Sequence, residues 1–345
     1  MKRTILSIFL GLFVFTAGGV KVDAGEAYTR SIYTNELQTQ EEAQRRPIAV
    51  MMPTDKAAQP SFGIGNAKIL YEIMEEGSIS RQMAIIDDWQ ELEQIGNIRS
   101  CRLYYIPVAT EWDPILIHFG GVYYMKERIT APDIQNLSGT SEDGTLEGKA
   151  PGSYAFYRRY GKSAPHNAYI KATGIMDASK ELGYSLTIRP EYYHEKHFVF
   201  SKSVNTLEQY GKAAIPADRV DFSDIFPYSK PLFVYHEEDG LYYKFIHGMP
   251  HTDGLTGEQL TFSNLIIQNT KWQYEPDQRY LDFTIQDDTE DGYFITKGKC
   301  IHIQWKKTAD YEPTVYYDDY GQEIELNTGK TYIAIAQKGK YAYAQ

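Results

Sequence analysis

The first half of the chain contains several short runs with at least four consecutive apolar residues. The clearest are residues 46–52 (RPIAVMM), 80–88 (SRQMAIIDD) and 113–121 (DPILIHFGG). Continuous apolar runs of this length are typical of strands buried on both faces of a sheet. Helix-like segments lie between such runs, for example residues 177–184 (DASKELGY), which begins with an aspartate and has a glycine near its end. Strands that alternate with helices predict an α/β sandwich domain over residues 46–214.

The pattern changes from about residue 215. Residues 230–248 (KPLFVYHEEDGLYYKFIHG) contain two apolar stretches separated by Asp239-Gly240, a pair that favours a tight hairpin turn. Similar short stretches follow and predict a β-rich domain over residues 215–345. The expected fold class is therefore α+β or α/β, with an N-terminal α/β sandwich domain and a smaller β-rich C-terminal domain. Residues 25–45 are polar without sustained apolar periodicity, and we interpret them as a linker.

The N-terminus has the pattern of a secretory signal peptide. Lys2 and Arg3 precede an apolar run of 16 residues, 5–20, and Val22-Asp23-Ala24 offers a cleavage site before Gly25. A membrane-spanning helix needs roughly 20 apolar residues, so the run is short for an uncleaved anchor, which is the alternative. We predict a signal peptide over residues 1–24 and an extracytoplasmic protein, either secreted or associated with the cell envelope.

The charge balance limits the partners that we expect. The formal net charge is −11, and removal of residues 1–24 takes away three basic residues and one acidic residue, which leaves −13. A strongly acidic chain argues against nucleic acid and against general binding to anionic membranes. Membrane association is therefore expected only through an uncleaved signal. The 29 tyrosines suit strands, and aromatic side chains also offer platforms for sugars.

Basic residues recur at the ends of the apolar runs of the N-terminal half. Arginine binds phosphate or carboxylate well because its planar guanidinium donates two parallel hydrogen bonds. In open α/β sheets, ligands bind beyond the carboxyl ends of strands, which makes these positions candidates for an anion site. Internal salt bridges to nearby acidic residues are the alternative. The predicted ligand-binding residues are Arg81, Arg99, Arg102, His118, Arg158, His166 and Asn167.

The segment 96–107 (GNIRSCRLYYIP) decides whether two of these cations can converge. Side chains alternate between the faces of a strand, so one continuous strand would separate Arg99 from Arg102. A strand that ends near Ser100 would instead place both arginines at one strand end. We therefore expect an anion site only if the strand stops there, and two separate salt bridges otherwise.

Cysteines and histidines offer little further chemistry. An oxidising exterior would permit a disulfide between Cys101 and Cys300, the only two cysteines, and two separate buried thiols are the alternative. His194 and His197 have no convincing third zinc ligand nearby. The chain contains no phosphate-binding loop and no dinucleotide-binding fingerprint. We expect no cofactor and no bound metal.

An ordered set of segments resembles the YerB-like family of bacterial cell-envelope lipoproteins, which is built on a domain of unknown function with N- and C-terminal parts. The segments are residues 46–52, 67–85, 95–102, 114–121, 156–167, 248–260 and 313–333. The resemblance implies a signal, a larger α/β domain and a smaller β-rich domain, but no established activity. The chain departs from the family pattern in lacking a cysteine after the signal for lipid attachment. It also has Cys101 where a small residue is common, and Lys162 near the usual position of a second arginine.

These observations leave three interpretations of the function. The leading one is a non-enzymatic protein that binds an anionic envelope ligand, or an envelope protein, through an arginine- and histidine-lined crevice of the N-terminal domain. The second is a phosphotransferase or hydrolase acting on a polyprenyl-phosphate-linked wall-polymer precursor, since the order of arginine-containing strands loosely resembles the LytR–CpsA–Psr ligases. The third is a structural module that docks on glycan.

Overall fold

A computed structural model of the chain describes residues 28–140 and 150–345. The signal peptide predicted over residues 1–24 lies outside the described residues. The described part has four α-helices: α1 (Gln40–Ala43), α2 (Tyr105–Thr110), α3 (Lys126–Ile129) and α4 (Ala172–Leu182). Within these same residues, no helix combines the length and apolar character needed to cross a membrane.

Strands account for most of the regular structure. In the first half they are β1 (Tyr28–Arg30), β2 (Leu37–Thr39), β3 (Ile48–Pro53), β4 (Ile69–Met74), β5 (Ser80–Ile86), β6 (Ile95–Gly96), β7 (Ile115–His118), β8 (Asn136–Ser138), β9 (Phe156–Arg158), β10 (Ala168–Ile170), β11 (Val199–Phe200) and β12 (Ile215–Pro216). In the second half they are β13 (Arg219–Asp221), β14 (Leu232–His236), β15 (Leu241–Ile246), β16 (Met249–Pro250), β17 (Thr261–Phe262), β18 (Asn264–Thr270), β19 (Trp272–Tyr274), β20 (Leu281–Phe283), β21 (Asp287–Thr296), β22 (Lys299–Lys307), β23 (Val315–Asp318), β24 (Glu325–Leu326), β25 (Thr331–Gln337) and β26 (Tyr343–Ala344).

The three apolar runs of the first half form buried strands, as their patterns predict. β3, β5 and β7 fall within the runs, and every residue of the three strands is buried. β3 pairs with β5 in the antiparallel direction and with β7 in the parallel direction. The central position of β3 explains why its sequence shows no alternation of polar and apolar residues.

Both halves of the chain contribute to one large mixed sheet of eleven strands. Its order is β12-β22-β21-β18-β25-β4-β5-β3-β7-β8, with β23 paired to β22. The two halves meet where β25 pairs in parallel with β4 on one side and with β18 on the other. A second sheet of six strands, built on β13 to β17 and β26, comes entirely from the C-terminal half.

The predicted α/β sandwich is therefore corrected to a β-rich fold. Of the helices that the structure describes, only α4 exceeds six residues. It ends at Gly183, whose left-handed φ of 73° closes the helix as the sequence predicts. Its start is earlier than predicted, at Ala172, so Asp177 lies inside the helix rather than at its cap. The apolar segment that forms β4 pairs with β25 of the other half, and this pairing is not visible in local sequence patterns.

The segment predicted as a linker is folded from residue 28 onward. β1 and β2 form a hairpin, and α1 follows with a capping box in which Thr39 and Glu42 bond each other's backbone amide. The hairpin is fixed to the body, since the amide of Gly329 donates to the carbonyl of Thr34 at 2.8 Å. The hydrogen bonds of this segment come from polar side chains and from the backbone, so its lack of apolar periodicity does not indicate disorder.

A fully buried ion pair joins the two halves beneath the sheet. Lys244 of β15 lies 2.8 Å from the Glu72 carboxylate of β4, and neither side chain has any exposed surface. The same carboxylate accepts hydrogen bonds from Ser80 at 2.6 Å, Gln82 at 2.8 Å and Tyr332 at 3.1 Å. Burial of a charged pair is tolerated when the remaining lone pairs are satisfied in this way.

Candidate functional site

Two of the predicted ligand-binding arginines are buried and paired with internal acids. Arg81 lies 2.7 Å from Glu75 and also donates to the carbonyl of Ser100 at 2.6 Å. Arg102 lies 2.7 Å from Glu76 and 3.6 Å from Glu75. Burial raises the pKa of Glu75, and the two neighbouring arginines oppose that rise. The four charges largely neutralise one another, so Arg81 and Arg102 do not line an open anion site.

Arg99 lies close enough to this cluster to interact with the charges of Arg81 and Glu75, but its side chain pairs with other residues. β6 ends at Gly96, so the strand stops before Arg99 and the condition for convergence with Arg102 is met. The two side chains nevertheless go to different partners. Arg99 lies 3.4 Å from Asp55 and donates to Nδ1 of His166 at 3.1 Å. The short strand therefore brings Arg99 to His166 and not to Arg102.

His118 has a structural environment. It is fully buried at the end of β7, where Nδ1 contacts the carbonyl of Gly120 at 2.7 Å and Nε2 contacts the side-chain oxygen of Asn136 at 3.1 Å. Burial lowers its pKa, so the imidazole is neutral at physiological pH. His118 fixes the turn after β7 to the neighbouring β8 and presents no group to solvent.

The remaining predicted residues meet in one hairpin. β9 and β10 pair with Arg158 opposite Ala168, and residues 159–167 connect them. Asn167 closes this loop, since its carbonyl accepts from the amide of Arg159 at 2.8 Å and its side chain donates to the carbonyl of Lys162 at 3.0 Å. The Asn167 side chain also accepts from Arg158 at 2.9 Å. Arg158, His166 and Asn167, with Arg99 beside them, therefore form the part of the predicted set that is together.

The hairpin is also fastened to the body of the domain. Lys162 donates to the carbonyls of Ala58 and Gln59, the latter at 3.0 Å. The side chain of Asn97 donates to the carbonyl of His166 at 3.1 Å. A loop held at both sides loses little conformational entropy when it binds a ligand.

Residues 158–162 (RRYGK) form what we call the hairpin tip. The Arg158 guanidinium lies 4.3 Å from the ring centre of Phe119, and that of Arg159 lies 4.2 Å from the ring centre of Phe62. Stacking on a ring fixes the plane of a guanidinium and leaves its edge free to donate hydrogen bonds. Tyr160 is fully exposed between the cations. Within residues 28–140 and 150–345, no carboxylate lies within 4.0 Å of Arg158, Arg159 or Lys162.

The cations of this region act on one another. Burial lowers the pKa of Lys162, and Arg159 lowers it further. Burial also lowers the pKa of His166; Asp55 opposes the shift, while Arg99 and Lys162 add to it. Arg99, Arg158, Arg159 and Lys162 carry four positive charges and their contact Asp55 carries one negative charge, a local balance of +3 on a chain of net charge −11.

Sequence reasoning missed Arg159 and Tyr160, although both lie within a segment that carries the family resemblance. The sequence does contain a pattern that could have indicated them, because a doublet of arginines followed by Tyr-Gly-Lys lies between two strand-forming stretches. Gly161 has a φ of 90° with open space where a Cβ would point, which fits a turn at the hairpin end.

A wide groove elsewhere in the described structure has the opposite charge. It measures about 820 Å³ and lies between the segment before β12 and the β14–β15 turn. Its carboxylates are Glu208, Asp218, Glu237, Glu238 and Asp239, and its amines are Lys297 and Lys299. An anionic ligand would be repelled there, so the hairpin tip is the better candidate for anion binding.

The possible disulfide between the two cysteines is not formed, and the alternative of two separate buried thiols holds. Cys101 and Cys300 are both buried free thiols, and burial raises the pKa of each to about 12. Arg102 lowers the pKa of Cys101, but burial outweighs it. Neither thiol has the lowered pKa of a reactive cysteine.

Two models of one protein family match the chain. Protein of unknown function (DUF3048) N-terminal domain matches residues 33–185, and the corresponding C-terminal domain matches residues 223–333. The chain belongs to the DUF3048 family. The first range begins after β1 and includes β2 and the hairpin tip, so the hairpin tip lies within the family's N-terminal domain.

YerB of Bacillus subtilis extends this comparison both in sequence and in structure. "Putative lipoprotein YerB" of strain 168 is 25% identical over 305 residues, which cover 87% of this chain and 84% of that protein. The crystal structure of the YerB protein superposes with a TM-score of 0.75 at 22% identity, covering 91% of this chain and 99% of that chain. The family membership predicted from the sequence segments is confirmed, and the superposition shows that the two proteins share a fold.

Proposed function

We propose that this protein is a non-enzymatic binding protein of the cell envelope that holds an anionic, phosphate-bearing ligand at the hairpin tip. The observation that carries the proposal is the stacking of Arg158 and Arg159 on aromatic rings, with no carboxylate paired to either among the described residues. Each guanidinium keeps donors available for a bidentate contact with a phosphate group. The signal pattern of residues 1–24 and a relative named as a lipoprotein support an envelope location.

The enzymatic alternative has less support. A transferase or hydrolase acting on a polyprenyl-linked precursor would need converging arginines beside a reactive or metal-binding group. Arg81 and Arg102 instead face Glu75 and Glu76. The thiol of Cys101, which lies between Ser100 and Arg102, is buried with a pKa raised to about 12. Binding at the hairpin tip requires none of these groups.

The test is the affinity for fluorescein-labelled linear polyphosphate, measured by fluorescence anisotropy on the chain from residue 25 onward, which contains every described residue. A cation near an anionic surface contributes about 1 kcal/mol, so the double variant Arg158→Ser/Arg159→Ser is expected to bind about 30-fold more weakly. Lys202→Ser/Lys212→Ser removes the same charge from exposed positions elsewhere and is expected to change affinity less than about twofold.

Two results would overturn the proposal. One is a wild-type protein that fails to bind polyphosphate at low ionic strength. The other is an equal loss of affinity in the two double variants, because this would show that total charge rather than the hairpin tip determines binding. His118→Gln serves as a further control, since His118 is buried and is expected to leave polyphosphate binding unchanged in protein that is folded.

A further inference from the structure

We infer that the hairpin tip docks on the surface of an anionic phospholipid bilayer, with Tyr160 lying among the lipid headgroups. The inference rests on the proposed function and names the source of the phosphate as a lipid headgroup. The shared chemistry is a phosphate that accepts hydrogen bonds from Arg158 and Arg159. Tyr160 is the feature that distinguishes a bilayer from a soluble polyanion.

Tyr160 has no packing role in the described structure. Its side chain is fully exposed, whereas the neighbouring arginines are stacked on Phe119 and Phe62. Cations alone suffice to bind a phosphate polymer, and an aromatic ring held out in water adds nothing to that contact. Tyrosine does have a favoured place at a membrane surface, where its apolar ring and polar hydroxyl match the headgroup region.

The hairpin presents this ring in a fixed position. The loop is closed by Asn167 and fastened by Lys162 to the carbonyls of Ala58 and Gln59. Arg158 and Arg159 precede Tyr160 and Lys162 follows it after one glycine, so cations surround the ring on both sides along the chain. An aromatic side chain flanked by basic residues is the arrangement expected at an anionic headgroup layer.

The acidity of the whole chain does not prevent this contact. At physiological salt, charges separated by more than about 8 Å in solvent are largely screened from each other. A bilayer that touches only the tip therefore responds mainly to the local balance of +3, and little to charges that lie beyond this screening distance. The predicted apolar run of residues 5–20 would keep a chain with an uncleaved signal at the same surface.

The test uses two probes on the chain from residue 25 onward, so that the apolar run is absent. One probe is vesicles of phosphatidylglycerol and phosphatidylcholine, measured by co-sedimentation, and the other is labelled polyphosphate in solution. Tyr160→Ser is expected to lower the affinity for vesicles about fivefold, because the ring that is lost would be partly buried in the bilayer surface. The same variant is expected to change polyphosphate affinity less than twofold. Tyr160→Trp is expected to bind vesicles at least as well as wild type.

Tyr320 provides a matched control. It is 77% exposed, but it follows Asp318 and Asp319 rather than arginines. Tyr320→Ser is expected to bind both probes as wild type does. Vesicles of phosphatidylcholine alone are expected to bind weakly in every case, because they present no net negative charge.

The outcomes separate the two proposals. Vesicle binding that is unchanged in Tyr160→Ser overturns the membrane inference. The proposed phosphate binding still stands in that case if Arg158→Ser/Arg159→Ser has a reduced affinity for polyphosphate. Binding to polyphosphate with no binding to anionic vesicles also overturns the inference. Failure of the wild-type protein to bind either probe overturns both proposals.

Discussion

Replacing Lys244 with methionine is expected to lower the free energy of unfolding by about 3 kcal/mol at pH 7. Lys244 and Glu72 are fully buried with their charged atoms 2.8 Å apart. Methionine keeps an unbranched, flexible side chain in the site but removes the charge. The Glu72 carboxylate is then buried opposite neutral donors only, among them Ser80 and Gln82.

The magnitude follows from the protonation of Glu72. Burial alone raises the pKa of Glu72, but Lys244 and the hydrogen-bond donors outweigh burial and hold the pKa below its usual 4.5. Without Lys244, the least costly folded state has a protonated Glu72. Protonation of a group with an unfolded pKa of 4.5 costs 1.36 kcal/mol for each of the 2.5 units up to pH 7, or about 3.4 kcal/mol.

The pH dependence has a definite sign. In the wild type, the folded pKa of Glu72 is depressed, so its contribution to stability is present above pH 4.5 and is lost as the pH falls. In the variant, protonation costs only about 1.4 kcal/mol at pH 5.5, one unit above 4.5. The difference in unfolding free energy between wild type and variant is therefore expected to shrink by about 2 kcal/mol from pH 7 to pH 5.5.

Urea unfolding followed by tryptophan fluorescence at the two pH values measures this difference. The double variant Glu72→Gln/Lys244→Met removes both charges and is expected to stay within about 1.5 kcal/mol of wild type at either pH. A loss below about 1 kcal/mol for Lys244→Met at pH 7 would refute the reasoning. So would a loss that is as large at pH 5.5 as at pH 7.

Two further predictions concern the hairpin and the thiols. Polyphosphate affinity is expected to stay constant from pH 7.5 to pH 6.5 and to rise only at lower pH, because burial lowers the pKa of His166, which faces Asp55, Arg99 and Lys162, and the imidazole gains its positive charge below that lowered pKa. The rise is measured by anisotropy and is expected to be absent in His166→Gln. Burial raises the pKa of each thiol from 9.0 to about 12, which lowers the thiolate fraction near neutral pH about 1000-fold. Cys101 and Cys300 are therefore expected to react with a thiol reagent about 1000-fold more slowly in folded than in urea-unfolded protein. Intact mass that rises by two hydrogens on reduction would contradict the free-thiol state.

The sequence was informative where burial alone decides structure. β3, β5 and β7 could be predicted because a short continuous apolar run is typical of a strand that is buried on both faces. The architecture could not be predicted, because the pairing of β25 with β4 joins residues more than 250 positions apart. The hairpin β1–β2 was missed since polar groups fix it, although the Thr39–Glu42 capping box is visible in the sequence.

The candidate site was predicted only in part for a related reason. Arg81, Arg99 and Arg102 lie within ten positions of acidic residues, whereas no acidic residue lies between Glu147 and Asp177 around Arg158. Glu75 and Glu76 pair with Arg81 and Arg102, whereas the rings of Phe119 and Phe62 lie beneath Arg158 and Arg159. The lack of nearby acids around Arg158 is visible in the sequence, but the ring contacts depend on the tertiary fold and could not be predicted from it.

The place of β25 in the large sheet has a consequence for folding. β25 follows residue 330 in the chain, yet it fills the gap between β18 and β4. While the chain is being synthesised, an N-terminal half that has already emerged would present the open edge of β4 until residues 331–337 arrive. An unpaired buried-type strand edge invites pairing with other chains. A protein built in this way needs its whole length delivered before it can close, and it depends on delivery being faster than aggregation.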